Sequence, residues 1–144
     1  MNILFICTGN TCRSPMAEAI CKKKMRKLKI SGNTDSCGTA AVPNMPATEN
    51  AVLAIKELYN LNISKHLSKP LNVELIDKAD VIFVMSQRHT MPLISLFPEC
   101  KDKLYVPQND IADPYMSSLE VYKECAKELE CAIDDMLSKV SQNG

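Results

Sequence analysis

The chain has 144 residues, with 17 lysines and arginines against 17 aspartates and glutamates. That length suits a single domain over residues 1–144 with one core of its own, and the balanced charge argues against a nucleic-acid or membrane-surface partner. No stretch reads as a secretion signal and no apolar run approaches the ~18 residues of a membrane span, so a cytoplasmic, monomeric protein is expected.

Residues 2–6 form a short apolar run that predicts a buried parallel strand. After a loop, Ser14 offers an N-cap and Pro15 a first helical position, predicting a helix to about Leu28 with the lysines at 22–24 solvated. Residues 34–38 predict a second strand between the turn signal Gly32-Asn33 and Gly38. Helical spacing of Ala51, Val52, Ile55 and Leu58 predicts a helix over residues 46–59, stopped by Asn60. Residues 66–70 read as loop and 73–78 as a short helix. The unbroken run within residues 79–85 predicts a strand buried on both faces. A helix over residues 86–97 must place Pro92 in its first turn or kink there. A fourth strand over 103–107 and a loop over 108–116 follow, then a final helix over 117–140 with Leu119, Tyr122, Ala126, Leu129, Ile133 and Leu137 on one face.

Strands separated by helices predict an α/β fold: three layers, a four-stranded parallel sheet with helices on both faces. Ligands of such sheets bind at the carboxyl ends of the strands. The first loop, Cys7-Thr8-Gly9-Asn10-Thr11-Cys12-Arg13-Ser14, lies at that end of the first strand.

Its backbone N–H groups and the following helix start can cradle a tetrahedral oxyanion, with Arg13 forking onto two oxygens. A phosphate-binding loop with a cysteine at its base is a place where phosphate is attacked. The nucleophile is the thiolate, and three features favour it at Cys7: the helix N-terminus, the Arg13 charge and a Ser14 hydroxyl able to donate to sulfur. Gly9 and Asn10 are the residues suited to left-handed backbone angles. The spacing from cysteine to arginine, with a helix start behind, points to a cysteine-dependent phosphatase.

The leaving group then needs a proton from a positioned acid. Asp113, in Asp113-Pro114, is the leading candidate because proline fixes its loop and the segment follows the fourth strand. Asp110 competes. The seven cysteines are odd in number and irregularly spaced, which reads as free thiols; Cys21, Cys37, Cys100, Cys125 and Cys131 are expected as small core or surface residues.

Together with Ser14-Pro15-Met16-Ala17-Glu18, Ser36-Cys37-Gly38-Thr39, His66-Leu67-Ser68, Ala79-Asp80-Val81-Ile82 with Met85, and Asp113-Pro114-Tyr115, the loop makes nearly the whole chain resemble the low-molecular-weight protein tyrosine phosphatase family. The resemblance implies a phosphocysteine intermediate on Cys7, phosphate binding by Arg13, acid then base catalysis by Asp113, and neither metal nor cofactor. It implies that Ser14, Ser36, Asn10 and His66 support the loop. Cys12 matches the family's second loop cysteine, which can form a reversible disulfide with the nucleophile; simple loop packing is the alternative.

Thr11 departs from the bulky aliphatic residue of tyrosine-specific members and resembles the branch that removes phosphate from arginine. A phosphorylated protein side chain is the expected substrate, with phosphoarginine preferred, phosphotyrosine the alternative, and inorganic phosphate the product. Tyr115 is a single aromatic after Asp-Pro, as in the arginine branch, but Met116 stands where that branch has glycine. An arsenate reductase would need two further redox cysteines near the third strand, where only Cys100 is found. A non-catalytic phosphate-binding module would be expected to lack the nucleophile or the acid.

Overall fold

The computed structural model describes residues 1–143, and side chains through residue 140. Four strands, β1 (Asn2–Cys7), β2 (Asn33–Gly38), β3 (Val81–Val84) and β4 (Leu104–Tyr105), form a parallel sheet in the order β2-β1-β3-β4. Five α-helices join or follow them: α1 (Arg13–Lys27), α2 (Glu49–Tyr59), α3 (Val73–Lys78), α4 (Thr90–Leu96) and α5 (Leu119–Asn143).

The strand period of two divides the core. Ile3, Phe5 and Cys7 of β1 share one face with Val81, Phe83 and Met85 and pack with residues of α1, α2 and α5. Leu4 and Ile6 face the other side with Ile82 and Val84, covered by Ile76 of α3 and Leu93 of α4. Both central strands therefore read as continuous apolar runs, as burial on two faces requires. The short β4 is held partly by aromatic stacking: the Phe83 ring centroid lies 5.1 Å from Phe5 and 5.3 Å from Tyr105. On α5, Tyr122, Ala126, Leu129, Ile133 and Leu137 are buried as the helical spacing predicts.

Several boundaries differ from expectation, each for a physical reason. Helix α1 begins at Arg13, with Cys12 at the N-cap position and no side-chain cap, because the Ser14 hydroxyl serves the preceding loop instead. Pro46, expected in α2, pairs as an isolated bridge with Leu67, and the helix starts only at Glu49. Asn60 ends α2 in the left-handed conformation, as its position suggests. The segment after β3 splits into a 3-10 turn, Gln87–His89, and α4, with Pro92 in the first turn of α4. Residues 98–103 form a 3-10 turn that takes Lys103 from the strand expected over 103–107, and β4 keeps two residues. The lysines at 22–24 are not all solvated: Lys24 Nζ lies 2.9 Å from Glu130 Oε2 and 2.8 Å from Asp134 Oδ1, tying α1 to α5.

The chain runs from β1 to β2 on one side and later returns to place β3 on the other. Such a reversal of strand order leaves a crevice at the carboxyl ends of the strands, and residues 8–12 lie there between β1 and α1.

Candidate active site

The loop is shaped by one left-handed residue. Asn10 has φ 58°, which asparagine tolerates better than most residues. Gly9, expected to share that role, does not adopt positive φ, and a Cβ there would come no closer than 3.7 Å to Thr11 Oγ1. The glycine required by close approach is Gly38, at the end of β2, where a Cβ would sit 2.5 Å from the Thr8 carbonyl oxygen. Beyond it, Thr39 N–H donates to Cys7 O and Ala40 N–H to Thr8 O, both at 2.9 Å, so β2 continues as a brace for the loop.

Behind the loop the polar groups form one chain whose hydrogens can be assigned. Lys69 N–H donates to Asn10 Oδ1 at 2.9 Å, which fixes the amide orientation. Asn10 Nδ2 then donates to Ser14 Oγ at 2.8 Å and to Ser36 Oγ at 3.0 Å. Each serine has one hydrogen left. Ser36 donates it to Glu18 Oε1 at 2.6 Å, and Ser14 is left to donate to Cys7 Sγ at 2.9 Å. Asn10 N–H also donates to the sulfur, at 3.2 Å. A buried Cys7, 2% exposed, thus has two hydrogen-bond donors on its sulfur. Burial raises the Glu18 carboxyl above its usual range, with the Ser36 hydrogen bond opposing. His66 Nε2–H donates to Asn10 O at 2.7 Å, and burial lowers that imidazole below its usual value.

In front of the loop is a cavity of about 270 Å³. Residues 7–13 form its floor, Ala40, Val42 and Met45 one wall, and Asp113 with Tyr115 another. Arg13 is buried yet aimed at this wall: its Nη1 donates to Ile111 O at 2.8 Å, and its Nη2 lies 3.8 Å from Asp113 Oδ2. Asp113 remains about half exposed and accepts Tyr115 N–H at 3.0 Å. Asp110, the competing acid, is not among the lining residues; its carboxylate accepts Gln87 N–H at 2.9 Å and fastens the loop to the turn after β3.

The low molecular weight phosphotyrosine protein phosphatase family model matches residues 2–144. The chain belongs to this family. A protein-arginine-phosphatase of Bacillus subtilis is 39% identical over 138 residues, covering 90% of each chain. A low molecular weight protein tyrosine phosphatase from T. tengcongensis superposes with TM-score 0.92 at 40% identity, covering 96% of this chain and 99% of its own. The YwlE arginine phosphatase, solved as a Cys-to-Ser mutant with a phosphorylated active-site serine, superposes with TM-score 0.91 at 34% identity, covering 98% of this chain and 96% of its own. Membership makes this protein a cysteine-dependent protein phosphatase.

Within this phosphatase, the structure gathers Cys7, the loop through Arg13, Asp113 and Tyr115 around the cavity, and sets Ser14, Ser36 and His66 behind it. Sequence reasoning missed Ile111, whose contribution is a backbone carbonyl and so independent of side-chain type. It also missed His89, whose Nε2 lies 3.3 Å from Thr8 Oγ1. Tyr122, read only as a core residue of α5, has its hydroxyl 3.3 Å from Cys12 Sγ and accepts a hydrogen bond from Thr48 Oγ1 at 3.1 Å. Burial pushes the Tyr122 phenol up to about 12.

Proposed function

We propose that this phosphatase hydrolyses phosphorylated protein side chains, phosphoarginine in preference, with Cys7 as nucleophile and Asp113 as general acid and base. The supporting observation is that Cys7, Thr11, Arg13 and Asp113 all line one cavity. The Cys7 thiolate attacks phosphorus while Arg13 and the loop N–H groups hold the non-bridging oxygens. The bond from phosphorus to the leaving group breaks as Asp113 gives it a proton. Asp113, now a carboxylate, takes a proton from the water that attacks the phosphocysteine. Sulfur departs as thiolate, accepting the Ser14 hydrogen bond, and inorganic phosphate leaves.

Thr11 supports phosphoarginine, because a small polar wall accommodates a phosphoramidate and its guanidine. That leaving group is strongly basic and departs as a cation that the Asp113 carboxylate can pair with. The identity to a protein-arginine-phosphatase supports the same choice. Phosphotyrosine is the second reading, favoured by the exposed Tyr115 ring and the apolar Val42 and Met45 at the mouth, against which an aromatic ring could pack. Cys12 is the proposed redox partner: peroxide oxidises Cys7 to a sulfenic acid, and attack by the Cys12 thiolate forms the disulfide and expels hydroxide, which is protonated to water. Both are free thiols in this structure.

Rapid-quench mass spectrometry during turnover tests the scheme. Phosphate is expected on Cys7 in the wild type and to accumulate in Asp113→Asn with an aryl phosphate, whose leaving group needs no acid. Turnover in Cys7→Ser at the wild-type rate would overturn it.

A further inference from the structure

We propose that His89 couples its own protonation to occupancy of the phosphate loop, so that an oxyanion in the cradle and a charged imidazole stabilise one another through Thr8. The inference rests on the phosphate-binding role proposed above. His89 ends the 3-10 turn after β3, half-buried, with Nε2 3.3 Å from Thr8 Oγ1 and Nδ1 2.9 Å from the buried Ser86 Oγ. Thr8 is the first residue after β1 and lines the cavity.

Neutral imidazole leaves two arrangements open, since either ring nitrogen can carry the hydrogen. In one of them the Thr8 hydroxyl spends its hydrogen on Nε2. Protonation removes the choice. Both nitrogens then donate, Thr8 Oγ1 accepts, and the Thr8 hydrogen is released for an oxygen in the cradle.

The surrounding charges give the coupling its sign. His89 is held below its usual value by burial and then by Arg13 and Arg88, with Asp110 opposing. An oxyanion beside Arg13 offsets the guanidinium and adds an attractive partner for the imidazolium, which raises the histidine. Linkage makes the effect reciprocal: the factor by which the anion favours charged His89 is the factor by which charged His89 favours the anion.

The chain has only two histidines, so His66→Asn assigns the imidazole resonances in NMR titrations. Sulfate is the probe, a tetrahedral dianion that stays fully ionised across the histidine range. At saturating sulfate the His89 midpoint is expected to rise by about one pH unit, equivalent to about tenfold tighter sulfate binding when His89 is charged. His89→Asn is expected to lose that tightening at lower pH. A His89 midpoint that stays in place while sulfate binds would overturn the coupling and leave the cradle intact. Failure of sulfate to bind at all would overturn both.

Discussion

Arg13 and Ile111 are joined by a 2.8 Å hydrogen bond from guanidinium to backbone carbonyl. Ile111 N–H in turn donates to Met85 O, just beyond β3, also at 2.8 Å. The loop that carries Asp113 is therefore held by both Arg13 and the sheet. That anchoring suits the acid role proposed for Asp113, which needs a positioned carboxyl. Asp113→Asn is expected to lower kcat by about 10²–10⁴ on substrates with basic leaving groups, and far less on aryl phosphates with acidic ones. Equal losses across a leaving-group series would argue against proton donation.

The hydrogen-bond chain from Cys7 through Ser14, Asn10 and Ser36 ends on Glu18. Glu18→Leu leaves the buried Ser36 hydroxyl without an acceptor and is expected to cost about 1–3 kcal/mol in urea unfolding, with a fall in kcat. Glu18→Gln keeps a neutral acceptor and should lose clearly less of both. Indistinguishable Leu and Gln variants would mean the chain does not depend on its end group.

Met116 stands in a turn closed by Ser117 N–H on Pro114 O at 2.8 Å, with φ 66°. A left-handed third position in such a turn favours glycine, and a longer side chain there costs about 1–2 kcal/mol. Met116→Gly is therefore expected to raise the unfolding midpoint, with a gain in unfolding free energy somewhat below that cost because glycine also gains freedom in the unfolded chain. Thermal unfolding measures it.

Burial lowers His66, and burial with Arg13 and Arg88 lowers His89. A histidine depressed in the folded state binds fewer protons there than when unfolded, so its contribution is complete above the unfolded value near 6.5 and is lost as pH falls through the folded value. Glu18 runs the other way: its raised carboxyl contributes fully below 4.5, and that stability is lost as pH rises through the folded value. Unfolding free energy should fall with acidification below about pH 6.5, less steeply in His66→Gln, while Glu18→Gln should remove the opposing slope. Denaturant titrations across that range check both signs.

The fold was legible where a single physical demand dominates a segment. The unbroken apolar runs of β1 and β3 and the apolar face of α5 report burial directly, and Asn60 marks a helix end through its tolerance of left-handed angles. Boundaries failed where a side chain had two possible employers. Ser14 reads as an N-cap from its neighbours, yet its hydroxyl is committed to Cys7 and Asn10. Within the site, Cys7, Arg13 and Asp113, which the structure brings to one cavity, could be singled out because the proposed chemistry demands those residue types. Ile111 contributes only a carbonyl, and Glu18, Gly38 and His89 act through contacts between segments distant in the chain, which no local pattern encodes.

The proposed preference for phosphoarginine turns on Thr11, whose carbonyl accepts Thr48 N–H at 2.9 Å and which lines the cavity. The deciding measurement is kcat/KM on matched phosphoarginine and phosphotyrosine peptides, for the wild type and Thr11→Ile. A wild-type preference for phosphoarginine that shifts toward phosphotyrosine in the variant is the predicted result. A wild-type preference for phosphotyrosine, or a ratio indifferent to Thr11, would contradict it.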